Sequence, residues 1–253
     1  PPHRLPRLPY PSVVAAQQKA FGRRGATLGV KLSTTSLVQF AAKIGVTVAG
    51  FASTVVFARV LGADVLGTYF LVIALIGWLE FTTQLGVTTA IQKRVSELNE
   101  SSAFLAAGGL VLAVAVVVVT IALLMARDLV ANYVGADVGI LVTVMLVVRM
   151  LYAFADAGLR GYHHVSTAAG IELFATVARV ILQVGLVVVG LGLTGMLFGY
   201  VAAFGAVGLL GVYLLVHEAT FTKPTRRHVA STLQFAKFAW LSSLKTHVSA
   251  SMD

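Results

Sequence analysis

Residues 139–159 read GILVTVMLVVRMLYAFADAGL, a run long enough to cross a hydrocarbon layer of about 30 Å, which takes roughly 20 helical residues. Arg149 and Asp156 interrupt it. At helical periodicity Arg149, Tyr152, Asp156 and Arg160 step by three or four residues and share one face. An ionisable side chain at bilayer depth costs roughly 2.5 to 3.5 kcal/mol even on the lenient insertion scale, so it needs a partner or a water-filled cavity. The stretch therefore predicts a membrane helix with one wet face rather than a plain anchor.

Five further apolar runs predict helices at residues 37–60, 67–90, 103–126, 167–189 and 194–216, and a seventh helix starts near Leu233. Each run is about twice the length of a barrel strand. With 58% hydrophobic residues, 11% charged and a mean hydropathy of +0.89, the chain lies far from an ordinary soluble domain, where about 25% of residues are charged. The expected fold class is all-α, a polytopic membrane helix bundle.

The polar stripe recurs on other spans. Gln39, Lys43, Thr47, Gly50 and Thr54 form one on the first, Gly77, Glu80, Gln84 and Thr88 on the second, and Glu172, Thr176, Arg179 and Gln183 on the fifth. The third and sixth spans are almost free of polar groups and should face lipid or neighbouring helices. Gly195, Gly199, Gly205, Gly208 and Gly211 on the sixth let backbones approach closely; bending during a conformational change uses the same residues.

Two readings of the stripes remain open. Three bases (Lys43, Arg149, Arg179) match three acids (Glu80, Asp156, Glu172), so a purely structural ion-pair network is arithmetically complete. Arg149 and Asp156, like Glu172 and Arg179, stand seven residues apart, about 10.5 Å along a helix axis, so pairs are expected between helices. A network joining mobile helices is also what a carrier rearranges, and guanidinium forks suit phosphate oxygens.

Charge placement sets an orientation. Arg4, Arg7, Lys19, Arg23, Arg24 and Lys31 lie in the leader, Lys93 and Arg94 in the second connection, Arg160 in the fourth and Lys223, Arg226 and Arg227 in the sixth. The opposite connections hold Arg127, with Arg59 at a helix end, beside Asp64, Asp128 and Asp137. The positive-inside rule puts the N-terminus in the cytoplasm of a multi-pass protein of the cytoplasmic membrane. Residues 1–31 are expected as a disordered, basic, Pro-rich leader rather than a secretory signal, with translation from near Val30 as the competing expectation. Residues 32–217 form the six-helix transmembrane lobe, 218–232 a cytoplasmic linker, and 233–253 part of a seventh span, which makes the chain a fragment in expectation.

Several chemistries are disfavoured. With no cysteine, disulfides, thiolate zinc sites and cysteine nucleophiles are excluded. His163 and His164 are adjacent in a short turn and point apart rather than converging on a metal. There is no Gly-rich phosphate loop, Gly-x-Ser-x-Gly elbow or His-Glu-x-x-His. No cofactor or metal is expected, and no enzyme activity. The net charge of +9 comes without interleaved aromatic residues, so no nucleic acid is expected as partner.

The stretch Phe57-Ala58-Arg59-Val60-Leu61-Gly62-Ala63-Asp64-Val65-Leu66-Gly67-Thr68-Tyr69 resembles the first external turn of the polysaccharide transporter family, with its A-R-x-L-G-x-x-x-x-G-x-Y pattern. Gln84-Leu85-Gly86-Val87 followed by Lys93-Arg94 resembles that family's second helix end. Leu159-Arg160-Gly161-Tyr162-His163 is similar to its turn between helices four and five, and residues 190–200 to its glycine-rich start of helix six. The similarity runs from about Lys31 onward. One departure is Gln84, where the family often carries an acid to which ion coupling would be assigned.

The family belongs to the multidrug, oligosaccharidyl-lipid and polysaccharide flippase superfamily. The resemblance implies the first lobe of a two-lobe flippase that moves a polyprenyl-phosphate- or pyrophosphate-linked oligosaccharide across the membrane by alternating access. It implies Lys43, Arg149 and Arg179 as substrate-binding residues, and Gln84 and Gln183 of the polar stripes join them as candidates. Glu80, Asp156 and Glu172 would hold the arginines in the empty site and could take up Na+ or H+. Membrane lipids are the other expected partner. A multidrug cation antiporter of the same superfamily is the alternative, and a membrane-embedded glycan polymerase or transferase the second.

Overall fold

The computed structural model describes residues 44–45, 47–48, 50–97, 100–219 and 222–250, with side chains described as far as Trp240. The chain divides into Pro1–Val48, whose described positions are helical, and Ala49–Asp253, which holds every element below. No strand occurs among the described residues. The helices are α1 (Gly50–Leu61), α2 (Ala63–Gln84), α3 (Val87–Ser96), α4 (Ser101–Met125), α5 (Arg127–Val134), α6 (Gly139–Gly161), α7 (Val165–Val188), α8 (Gly192–Glu218) and α9 (Arg226–Ala250). Five of them, α2, α4, α6, α7 and α8, are long and apolar enough to cross a membrane. The expected all-α membrane bundle is what the chain forms.

The second expected span, 67–90, is in fact two helices. Leu85 (φ 43°) and Gly86 (φ 75°) both adopt left-handed backbone, which interrupts the i→i−4 ladder between α2 and α3. Gly86 is required there for a second reason. A Cβ on it would lie 2.5 Å from the Ala236 carbonyl oxygen and 2.8 Å from the Trp240 nitrogen of α9. Beyond the break α3 is amphipathic: Val87, Ala90, Ile91 and Val95 are buried, while Thr89, Gln92 and Lys93 are exposed.

Helix α8 packs most extensively against α6 and α7. A Cβ on Gly199 would meet the Gln183 backbone nitrogen of α7 at 2.8 Å, and one on Gly211 the Ala155 Cβ of α6 at 2.7 Å. The glycines of the sixth span thus serve close helix contact. Helix α4 packs on α3, α6 and α9 and leaves Val114, Val117, Val118 and Ile121 exposed on its other side.

The last helix begins at Arg226, seven residues before the apolar run that marked it in the sequence. His228, Thr232 and Ala236, four residues apart, are all buried. Two of the three are polar, which hid this face from a hydropathy reading. The Thr225 backbone N–H donates to His228 Nδ1 at 3.2 Å, one half of a capping box in which histidine takes the place usually held by glutamate. His228 Nε2 lies 2.8 Å from Glu100 Oε2 at the start of α4, and its ring meets Phe104 edge-on at 4.8 Å between centroids. The linker expected over 218–232 therefore gives way to helix from Arg226 onward.

Candidate functional site

Arg149 sits in mid-α6 among apolar neighbours and is largely buried. The α2 stripe supplies the partner: Arg149 Nη2 donates to Glu80 Oε2 at 2.9 Å and Nε donates to Glu80 Oε1. This fork-to-carboxylate geometry is the strongest form of such a pair. The Arg149 guanidinium carbon also lies 4.5 Å from the centroid of Phe204 on α8 and 5.4 Å from that of Tyr152, so aromatic faces cover what the carboxylate does not. The two charged side chains are 22% and 15% exposed, enough to leave the pair in reach of a cleft.

The other stripe acids have a different partner from the one expected. Arg160 Nε donates to Asp156 Oδ2 at 2.8 Å and to Oδ1 at 3.0 Å, and its Nη2 donates to Glu172 Oε2 at 3.1 Å. Asp156 and Glu172 thus share the single charge of Arg160 at the end of α6 rather than pairing with Arg149 or Arg179. Pairing by Arg160 is partly intrahelical, at the four-residue spacing of Asp156 and Arg160. That spacing belongs to the polar stripe of this helix, and Arg160 closes it in the last turn of α6.

Arg179 of α7 is partly buried, and its Nε has no hydrogen-bond partner. Gln183 lies one turn further on and is 3% exposed. Its amide nitrogen donates to Tyr69 Oη at 2.9 Å and to the Met196 carbonyl at 2.8 Å. Gln183 thereby ties α7 to α2 and α8, and does not line the cleft described next. Lys43 falls outside the described residues.

A cleft of about 200 Å³ opens between the α2–α3 break and α6. Gln84, Thr88 and Gln92, at steps of four, form one wall, and Arg149, Tyr152 and Asp156 form the other. Thr88 Oγ1 donates to Gln84 Oε1 at 3.0 Å across the helix break. Of the sequence-derived candidates, Gln84, Arg149 and Asp156 meet here, with Glu80 joined through Arg149. Gln92 was missed because it lies past the end of the apolar run; its spacing from Gln84 and Thr88 was the available signal. Among the described residues no group of three His, Asp or Glu is arranged to hold a metal ion.

A family model described as polysaccharide biosynthesis protein matches residues 33–253. The chain is 23% identical over 222 residues to the probable low-salt glycan biosynthesis flippase Agl15 of Haloferax volcanii, a match covering 88% of this chain and 47% of that protein. A solved structure of a MOP superfamily transporter from Pyrococcus furiosus superposes with a TM-score of 0.61 at 19% identity, over 83% of this chain and 52% of the other. Its description reports a binding pocket of reversed polarity suggesting a different function. At that identity the likeness concerns the fold. The chain spans about half the length of both proteins.

Proposed function

The chain belongs to the polysaccharide biosynthesis protein family, and from that premise we propose that it supplies one lobe of a flippase. The substrate would be an oligosaccharide on a polyprenyl phosphate or pyrophosphate, carried across the cytoplasmic membrane by alternating access. The observation that carries this reading is the Arg149–Glu80 pair, placed at a cleft within the spans and left partly exposed. A fork already shaped for carboxylate oxygens is equally shaped for phosphate oxygens. In the empty site Glu80 holds Arg149; an arriving phosphate displaces it, and Glu80 is then free to take a proton or a Na+ that drives the return. The basic residues Lys93, Arg94 and Arg160 at one end of the bundle support a cytoplasmic position for that end and for the N-terminus.

Reconstitution of the complete protein in liposomes with a fluorescent polyprenyl-diphosphate oligosaccharide tests the reading. Flipping should be measurable for the native protein and lost in Arg149→Ala at equal protein content. Normal flipping in that variant would remove Arg149 from the transport path.

A further inference from the structure

We propose that the wall formed by Gln84, Thr88 and Gln92, with Tyr152 and Asp156 opposite, is a subsite that reads one neutral sugar unit of the substrate. This rests on the transport reading above and assigns the cleft a part of the substrate other than the phosphate.

Charge accounting within the cleft leads to this. The Arg149 fork is engaged by Glu80, and Asp156 accepts from Arg160. Each charged group lining the cleft therefore faces an opposite charge in its resting form. Its remaining chemistry is two amides, threonine hydroxyls and a phenol. An amide offers two donors and an acceptor, and a hydroxyl offers one donor and two acceptors. A sugar carries the same mixed pattern on every hydroxyl, whereas a phosphate carries acceptors alone and would leave the Gln92 oxygen facing it without a donor. Asp156 keeps lone pairs to spare after binding Arg160, so it can accept from a sugar hydroxyl as a charge-assisted acceptor.

Size agrees. About 200 Å³ falls short of the roughly 300 to 1,000 Å³ typical of drug-sized ligand sites, so the cleft takes a single ring rather than a whole repeat unit. Gln92 and Thr89 are exposed, which leaves the open side free for the rest of the chain of sugars. Arg149 borders the same cleft, so a phosphate that displaced Glu80 would stand beside the ring. Gln84 and Thr88 keep their hydrogen bond on this wall across the break at Leu85–Gly86.

The test uses the complete protein in nanodiscs and two kinds of probe, a panel of neutral methyl glycosides (glucose, galactose, mannose, N-acetylglucosamine) and farnesyl diphosphate. Binding is read by saturation-transfer NMR and by competition. At least one glycoside should bind the native protein. Thr88→Val and Gln92→Leu should each weaken it about tenfold, as expected for one or two lost hydrogen bonds, with farnesyl diphosphate binding changed less than about twofold on the same scale and melting temperature unchanged. If no glycoside binds, or if both variants bind it as the native protein does, the subsite is wrong. Cleft-sensitive glycoside binding in a protein that flips nothing would instead overturn the transport reading and keep the subsite. Loss of flipping in Arg149→Ala with glycoside binding indifferent to Thr88 and Gln92 would do the reverse.

Discussion

Arg149 on α6 and Glu80 on α2, 69 residues apart in sequence, form a two-pronged ion pair within the membrane-spanning part of the bundle. Among the described residues neither charge forms a second ion pair. Removing one member leaves an uncompensated charge, a loss of about 3 to 5 kcal/mol for a buried pair. Glu80→Leu and Arg149→Leu should each lower the melting temperature of the purified protein, while the double variant recovers most of it. If the pair also serves transport, the recovered double variant still flips nothing. A double variant no more stable than either single one would mean that the pair does not carry this energy.

Gly199 approaches the backbone of Gln183 so closely that any Cβ must displace a helix. Gly199→Ala should cost about 1 to 3 kcal/mol, the usual range for overpacking. Gly205 is the control, since its Cβ would find Val148 at an ordinary 3.5 Å. Thermal unfolding in detergent separates the two, and equal tolerance would show that α7 and α8 part without strain.

Gln183 was expected among substrate-binding residues, yet its amide is committed to Tyr69 and the Met196 carbonyl. Gln183→Leu should cost about 1 to 3 kcal/mol through the buried groups it leaves unpaired. Flipping per folded molecule should stay close to native. A variant of native stability that fails to transport would return Gln183 to the substrate path.

Glu100 lies outside the spans, and its hydrogen bond with His228, with the charge of Arg227 nearby, holds its carboxyl below the usual glutamate range. A lowered folded pKa stabilises above the unfolded value and is lost as pH falls through the folded one. Docking of the α9 start on α4 should therefore persist at neutral pH and weaken only on the acid side of the ordinary glutamate range. Hydrogen exchange of residues 226–230 followed from pH 7 downward checks this, with Glu100→Gln expected to remove the acid-side step. The same step in that variant would assign it to another group.

Hydropathy located α4, α6, α7 and α8 to within a few residues, because a membrane span declares itself by local composition. It failed at two points where local composition is not the cause. The α2–α3 break depends on two left-handed residues and on α9 passing Gly86. The start of α9 depends on a polar face, His228 and Thr232, buried by partners on another helix.

What the residue order alone determined was that the chain crosses a membrane repeatedly and carries charge on particular helical faces, since a period of 3.6 and the cost of charge in lipid both act within one segment. Which charges meet was decided by tertiary structure. Glu80 could be assigned to Arg149, and Glu172 to Arg160, only once the helices were placed against one another. A helix can rotate about its axis without altering its own pattern, so the partners of its polar face are a property of the bundle.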